Sequence, residues 1–242
     1  MNFNRLLKKI LPIKSVEKIG GMKEYYFQFD KFKSPWGSQF NNQKLRTQIF
    51  ESITDQILPD LIVETGTYRG TTTDYLSKKV NCQIYSVEFD VRSYSFSKCR
   101  FKGNSKVTVF NDDSRSFLRQ LSKMDKWKNK TIFFYLDAHW NEDLPLVEEL
   151  EIIGSSWSDS IVMIDDFKVP DDSGYNYDVY GGAALEIELL HPVSKYNFSY
   201  FFPISSKYES GGMRGSIILT NSDSRAKTLE SINLLRKFNI NQ

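Results

Sequence analysis

Apolar and polar positions along the chain alternate between two patterns. Short runs of consecutive apolar residues predict buried strands at 61–64, 82–88, 107–110, 131–136 and 160–164. Between these runs, apolar residues recur every three or four positions, which predicts helices near 43–57, 71–79, 91–100, 114–123 and 143–153. Five strands separated by helices predict a doubly wound α/β sheet with parallel strands.

The alternation changes towards the end of the chain. A predicted helix near 182–190 is followed by two strand-like runs, 198–202 and 215–220, with no helical pattern between them. We expect these two runs to pair antiparallel as a hairpin at the sheet edge, and a last helix near 223–237 to close the chain. The complete pattern predicts a Rossmann-like, mostly parallel seven-stranded sheet with one antiparallel edge strand.

The first part of the chain has a different character. Residues 1–42 mix basic and aromatic residues and precede the regular alternation, so we expect an N-terminal extension or lid over 1–42 and one domain over 43–242. The extension is a candidate dimer element. Residues 4–14 form a short basic amphipathic segment, for which a helix packed on its own domain or on a dimer partner is favoured over contact with a membrane surface.

Composition excludes several classes of partner. The 32 basic and 30 acidic residues nearly balance, and the sequence has no long basic stripe that would bind nucleic acid. Two cysteines, Cys82 and Cys99, do not suggest a disulfide framework. No apolar run reaches the ~20 residues that span a bilayer. These features favour a soluble protein of the reducing cytoplasm.

The first predicted strand leads into a glycine-bearing turn, in the pattern Glu64-x-Gly-x-x-x-Gly-x-Thr72. Gly66 and Gly70 allow the backbone to pass close to a ligand, and Thr71 or Thr72 can cap the helix that follows. The pattern resembles that of class I S-adenosylmethionine (SAM) methyltransferases and differs from the dinucleotide fingerprint and the phosphate loop. The resemblance implies a SAM site that includes Glu64, Gly66, Thr67, Gly70 and Thr72.

Two further strand ends carry polar residues suited to the same cofactor. Glu88 ends the second strand and is well placed to accept hydrogen bonds from both hydroxyls of a ribose, although a solvated strand-end carboxylate is the alternative. Asp113 and Ser114 follow the third strand and match the Asp-Ser pair that lies beside the adenine in the resembling family. Capping of the next helix explains these residues equally well.

Three aspartates follow the fourth and fifth strands. Asp137 precedes His139 at the end of one strand, and Asp165 and Asp166 end the next. Because adjacent parallel strands end at the same sheet edge, these carboxylates would crowd together unless a cation neutralised them. Hard oxygen ligands favour Mg²⁺, or else Mn²⁺ or Ca²⁺.

The stretch Leu136-Asp-Ala-His-Trp-Asn-Glu-Asp-Leu-Pro145, followed by Ile164-Asp-Asp166, resembles the metal-binding core of the catechol and caffeoyl-CoA type O-methyltransferases. It is also similar to the metal-dependent sugar O-methyltransferases of the macrocin and mycinamicin pathways. The resemblance implies that Asp137, Asp165 and Asp166 hold a divalent metal, which holds the acceptor hydroxyl beside the methyl group of SAM.

The sequence departs from the catechol type in one respect. A lysine base is expected shortly after the Asp-His-Trp stretch, but the matching position is Asn141 and no lysine follows before Lys168. His139 is then the local candidate for the base, with a packing role as the alternative. Because an alcohol needs a stronger combination of metal and base than a phenol does, the departure favours a sugar or glycan hydroxyl as acceptor.

A polar and aromatic loop at 169–182 follows the acid pair. Tyr175 and Tyr177 are candidates to hold the acceptor, with an ordinary surface loop as the alternative. The sequence as a whole predicts a divalent-metal-dependent O-methyltransferase. The alternatives are transfer to a phenolic small molecule and a SAM-binding module without turnover.

Overall fold

The computed structural model describes residues 11–139 and 142–239. Most of the predicted amphipathic segment, residues 4–10, therefore lies outside the described residues, as does Asn141. The helices are α1 Ile13–Phe32, α2 Lys44–Ile57, α3 Thr71–Lys79, α4 Val91–Arg100, α5 Ser114–Leu121, α6 Leu146–Ser156 and α7 Asp223–Glu230. The strands are β1 Leu61–Thr65, β2 Gln83–Val87, β3 Val107–Phe110, β4 Ile132–Leu136, β5 Ser160–Asp165, β6 Val179–Tyr180, β7 Ala183–Ala184, β8 Ser199–Pro203, β9 Ser216–Thr220 and β10 Leu235–Phe238.

Eight of these strands form one sheet in the order β10-β8-β9-β5-β4-β1-β2-β3. The strands from β1 to β5 pair parallel, which confirms the predicted α/β class. The predicted hairpin is also present: β8 and β9 pair antiparallel, and β9 pairs antiparallel with β5. β10 lies antiparallel on the outer edge of β8, so the sheet has one strand more than the sequence predicts.

Two predicted helices differ in the structure. The region predicted as a helix near 182–190 contains β7, which pairs with the preceding β6 as a two-stranded ribbon, and the start of a 3₁₀ segment, Ile187–Tyr196. Gly181 and Gly182, both with positive φ, make the two-residue turn of the ribbon, and Pro192 disfavours a regular α-helix. The last helix ends at Glu230 instead of 237, because the following residues pair with the free edge of β8.

Helices cover the sheet on both faces. Buried side chains of α2, α3 and α7 pack on one face, and those of α5 and α6 pack on the other. The interior strands are apolar throughout; β4, for example, is buried at all five positions. This arrangement is that of a parallel sheet, whose strands face a core on each side.

The N-terminal helix α1 packs against α4. Tyr25 and Phe29 of α1 contact the buried ring of Phe96, with ring centroids 5.6 and 5.9 Å apart. Glu24 of α1 forms a buried ion pair with Arg69, in the turn after β1, at 2.7 Å. The extension therefore contacts the glycine-bearing turn directly. No helix among the described residues is both long and apolar enough to cross a bilayer.

Candidate active site

The parallel strands bring the predicted polar residues to one edge of the sheet. A cavity of about 620 Å³ opens at the carboxyl ends of β1, β2, β3 and β4. The predicted residues that line it are Gly66, Glu88, Asp113, Ser114, Asp137 and His139. The structure thus brings four of the eight predicted cofactor residues to a single space, together with Asp137 and His139.

Gly66 makes the closest approach between two strand ends. Its φ of 90° is the left-handed backbone that favours glycine, and a Cβ there would lie 2.4 Å from the carbonyl oxygen of Asp137. The turn after β1 therefore passes directly over the tip of β4. Gly70 is the N-cap of α3, so the expected cap by Thr71 or Thr72 is wrong. Thr71 instead donates a hydrogen bond to the carbonyl of Lys33, at 2.8 Å.

Glu64 lies beneath this turn and is buried. One of its carboxyl oxygens accepts hydrogen bonds from the hydroxyls of Thr73 and Ser86. Burial raises the pKa of Glu64 to about 7, and these hydrogen bonds partly oppose the shift. Ser86 also contacts the hydroxyl of Thr67 at 2.6 Å. Glu64 thus connects β1, β2 and the first turn of α3 below the cavity.

Glu88 is held at the wall of the cavity by backbone donors. The amide of Tyr68 donates to one carboxyl oxygen at 2.6 Å, and the amide of Asp90 donates to the other at 2.8 Å. Burial raises its pKa to about 7, partly opposed by these two hydrogen bonds. Each oxygen keeps a second lone pair for a ligand hydroxyl.

Asp113 is the N-cap of α5, as the capping alternative predicts. Its side chain accepts from the amides of Arg115 and Ser116 at 2.9 and 3.3 Å. The guanidinium of Arg115 also pairs with Asp113 and lowers the pKa of its carboxyl. Since Asp113 and Arg115 both line the cavity, the cap leaves Asp113 beside the space predicted for the cofactor.

A second cavity, also of about 620 Å³, lies on the other side of the β4 end. It shares Trp36, Asp137 and His139 with the first cavity. Its remaining lining residues are Asn41, Asn42, Asp166, Asp178, Tyr180, Gly211, Gly212 and Arg214. A group bound in one cavity and a group bound in the other would meet at Asp137 and His139.

The pKa values of the two polar residues that both cavities share, Asp137 and His139, are shifted. Removal from solvent and the nearby Asp166 carboxylate raise the pKa of Asp137 well above its usual range. Removal from solvent also lowers the pKa of His139, an effect that Asp166 partly opposes. The His139 ring stacks on Tyr180 with centroids 4.5 Å apart.

The three predicted metal ligands line one small cavity, but two of them are paired with arginines. Asp165 is buried, forms an ion pair with Arg46 and accepts a hydrogen bond from the hydroxyl of Tyr135. Asp166 pairs with Arg214 at 2.9 Å. Among residues 11–139 and 142–239, no group of three acidic, histidine or cysteine side chains is arranged to hold a metal ion. The carboxylates lie close together as expected, and guanidinium groups pair with two of them, so the metal stays a prediction.

Comparisons with known proteins agree with this geometry at the level of the fold. No protein-family model matches the chain, and no curated protein is detectably similar in sequence. The O-methyltransferase from Bacillus cereus in complex with S-adenosylhomocysteine (SAH) aligns with a TM-score of 0.54 and 14% identity, over 89% of this chain and 95% of that one. TomG from Streptomyces achromogenes, an O-methyltransferase involved in tomaymycin synthesis and solved in complex with SAM, aligns with a TM-score of 0.52 and 10% identity, over 89% and 93%. The chain has the class I methyltransferase fold.

Within this fold, the loop after β5 lines the second cavity through residues other than the predicted ones. Tyr175 and Tyr177 line a separate cavity of about 600 Å³ formed by residues of 168–177. Asp178 and Tyr180, from the same loop, reach the cavity shared with Asp137. The two tyrosines do not line the second cavity, and their role in holding an acceptor stays a prediction.

Sequence reasoning missed three residues: the two arginines that pair with the acids at the end of β5, and Trp36, which lines both cavities. Arg46 is fully buried, although its position in α2 gave a signal: it shares a helix face with Phe50 and Ile53, both apolar. Arg214 lies in a glycine-rich segment with no periodic pattern, and Trp36 lies in the irregular extension. No local pattern in the sequence distinguishes these two residues from ordinary surface positions.

Proposed function

We propose that this protein is a SAM-dependent O-methyltransferase that acts on a hydroxyl group of a sugar or glycan. One observation carries the proposal: two cavities of similar volume meet at the end of β4 and share Asp137 and His139. Four of the residues predicted for SAM, namely Gly66, Glu88, Asp113 and Ser114, line the first. The second is open to a different molecule, and only at the shared wall would the two molecules come into contact.

The chemistry follows from this placement. The acceptor oxygen attacks the methyl carbon of SAM, a C–O bond forms, the S–CH₃ bond breaks, and SAM leaves as SAH. The proton of the hydroxyl passes to a base at the shared wall, where Asp137 and His139 are the two groups able to take it. The chain's main contribution is to hold the two reactants in line and exclude water.

The lining of the second cavity supports a polyhydroxylated acceptor. Asn41, Asn42, Asp178 and Arg214 offer donors and acceptors for several hydroxyls. Trp36 and Tyr180 add aromatic faces on which the apolar face of a sugar ring can pack. A cavity for a flat phenol needs fewer polar groups, so the lining favours a sugar over a catechol.

A divalent cation stays a prediction from the family resemblance. Bound Mg²⁺ would polarise the acceptor oxygen. The residues named for it do not fit that role as arranged, because Asp165 forms an ion pair with Arg46 and Asp166 forms one with Arg214. The proposed transfer therefore includes no step through a metal.

The test combines cofactor binding with transfer. SAM and SAH are titrated calorimetrically into the protein, and transfer of a labelled methyl group is measured to a panel of glycosides and catechols. We expect Asp137→Asn to lower the transfer rate by about 10²- to 10⁴-fold, because it removes a group at the point of reaction. Its affinity for SAM should change little. Asp55→Asn, on an exposed position of α2, is the matched control.

The outcomes separate the alternatives. Transfer to glycosides but not catechols supports the proposal, whereas the reverse supports the phenolic acceptor. SAM binding without any transfer, unaltered by Asp137→Asn, would favour a SAM-binding module. A protein that binds neither SAM nor SAH contradicts the proposal as a whole.

A further inference from the structure

Two arginines stand where the family resemblance predicts a cation. Arg46 comes from α2, on the face of the sheet below the strand end, and Arg214 comes from the segment before β9. Arg46 pairs with Asp165, and Arg214 pairs with both Asp166 and Asp178. Each acid of the Asp165-Asp166 pair thus has its own guanidinium partner.

Arg46 is fixed in place by contacts that leave it little freedom. It is fully buried, and its second terminal nitrogen donates to the backbone carbonyls of Arg214 and Gly215, the latter at 2.8 Å. Glu209 accepts hydrogen bonds from the backbone amides of Leu45 and Arg46 at 2.8 and 3.1 Å, which anchors the start of α2. A buried guanidinium held this way cannot turn aside to admit a second positive charge.

Donors contact both oxygens of Asp165, so a cation would have to compete with them. One oxygen meets Arg46 and accepts the amide of Asp166 at 2.7 Å, and the other accepts the Tyr135 hydroxyl at 2.5 Å. All three donors come from buried or backbone groups. Replacing them with a metal ion would require α2 and β4 to move.

Arg214 is positioned with similar precision. Its backbone amide donates to the Gln43 side chain, and its carbonyl accepts from the same side chain, both at 2.8 Å. Its guanidinium bridges Asp166 and Asp178, and Tyr180 donates to the other oxygen of Asp178 at 2.7 Å. The guanidinium is therefore part of an ordered network at the wall of the second cavity.

We propose that Arg46 and Arg214 supply the positive charge that balances Asp165 and Asp166, so that the acceptor site operates without a bound divalent cation. The inference rests on the proposed transfer at Asp137 and His139. Of the three predicted metal ligands, Asp137 is the one that forms no ion pair within the part of the chain that the structure describes. Because Asp165 and Asp166 are already paired with guanidinium groups, a divalent cation would find too few available oxygen ligands to be held there.

The test measures cation binding directly. Mg²⁺ and Mn²⁺ are each titrated calorimetrically into the wild-type protein saturated with SAH, and the melting temperature is recorded with and without each metal. We expect no saturable heat and no shift in melting temperature for the wild type. In Arg214→Met the acids lose one counter-charge, so Mn²⁺ binding and a rise in melting temperature should appear.

Three variants complete the design. Arg214→Lys retains the charge and should bind no cation, which separates the charge from the shape of the side chain. Arg225→Met removes an arginine that pairs with Asp159 away from this edge, and it should also bind none. Asp137→Asn, added to Arg214→Met, should abolish the new binding. All of these variants keep the buried pair of Arg46 and Asp165, so they avoid the loss of stability that breaking this pair would cause.

Two results would overturn the inference. One is saturable Mg²⁺ or Mn²⁺ binding to the wild type that Asp137→Asn or Asp165→Asn removes. The other is an absence of cation binding in both the wild type and Arg214→Met, since the arginine would then not be what keeps the cation out. The binding of SAH in the same samples reports on the proposed function separately, because a protein that does not bind SAH can still give a clear cation result.

Discussion

The two halves of the candidate active site hold their carboxylates by different means. On the cofactor side, hydroxyl and backbone N–H groups hold Glu64 and Glu88, and burial raises both pKa values to about 7. On the acceptor side, guanidinium groups hold Asp165 and Asp166. Burial therefore lets the acids of the first half take up a proton near neutral pH, whereas two acids of the second half are paired with arginines. The first half suits recognition of a neutral ribose, and the second builds a fixed charge network beside the reaction.

The largest expected effect is on stability, when one acid is removed from an ion pair of the second half. The buried pair and the partly exposed pair are compared. Asp165→Asn leaves Arg46 buried without an anion, and we expect it to lower the free energy of unfolding by about 3–5 kcal/mol. Asp166→Asn breaks a pair that is partly exposed to solvent, and it should cost only about 1 kcal/mol or less. Urea denaturation of the two variants measures the difference. Equal costs would mean that Arg46 is not the structural counter-ion that the geometry indicates.

A second test uses the pH dependence of stability. Glu149, in α6, is buried, and burial raises its pKa to about 7 from an ordinary value of 4.5. An acid whose pKa is raised on folding stabilises the protein fully below its unfolded pKa, and this stabilisation is lost as the pH rises through the folded pKa. Glu149→Gln stays neutral, so its stability relative to the wild type should increase between about pH 4.5 and pH 8, by up to about 3 kcal/mol.

Urea denaturation of the wild type and Glu149→Gln at several pH values measures this change. Glu64 and Glu88 are present in both proteins, so their similar contributions cancel in the difference. A constant difference between the two proteins across the pH range would show that Glu149 is charged in the folded state.

The same contrast explains what the sequence could predict. The partners of Glu64 and Glu88 lie within 2 to 22 residues of them in the chain, in the same strand-turn-helix units. A local motif therefore predicted that half of the site, apart from the helix cap at Gly70. Arg46 donates to Gly215 across 169 residues, and Arg214 reaches Asp166 across 48. Contacts at these separations depend on the finished sheet, and no local pattern reveals them.

The fold shows the same division. The alternation of strands and helices predicted the parallel sheet because each strand carries its own apolar run. β10 was missed because its sequence, Leu235-Arg-Lys-Phe238, has two apolar residues and becomes a strand only by pairing with β8. Phe238 packs against Phe202 there, with ring centroids 5.4 Å apart. Tertiary pairing thus overrides a weak local preference for helix.

A third test asks whether Glu88 acts on the cofactor. The charged form of its carboxyl would accept two hydrogen bonds from ribose hydroxyls, so we expect Glu88→Gln to weaken SAM binding by about 10- to 100-fold. Asp55→Asn provides the control, because it removes an exposed acid of α2 that does not line the cavity, and it should bind SAM normally. Calorimetric titration of SAM into both variants gives the comparison. Unchanged affinity in Glu88→Gln would reduce Glu88 to a structural acceptor for the Tyr68 and Asp90 amides.

The smallest expected effect concerns Asp113, where capping and cofactor binding compete as explanations. Serine is as good an N-cap as aspartate but is shorter, so Asp113→Ser should keep the stability of the protein within a few tenths of a kcal/mol. The pair with Arg115, which is partly exposed to solvent, adds little to that cost. If the carboxyl also accepts a hydrogen bond from the cofactor, its loss should weaken SAM binding by about fivefold, the size of one net hydrogen bond. Thermal denaturation and SAM titration of the same variant separate the two roles. Stability and affinity that both match the wild type would assign Asp113 to the helix alone, and the first half of the site would then recognise its ligand through Glu88 and the glycine turn.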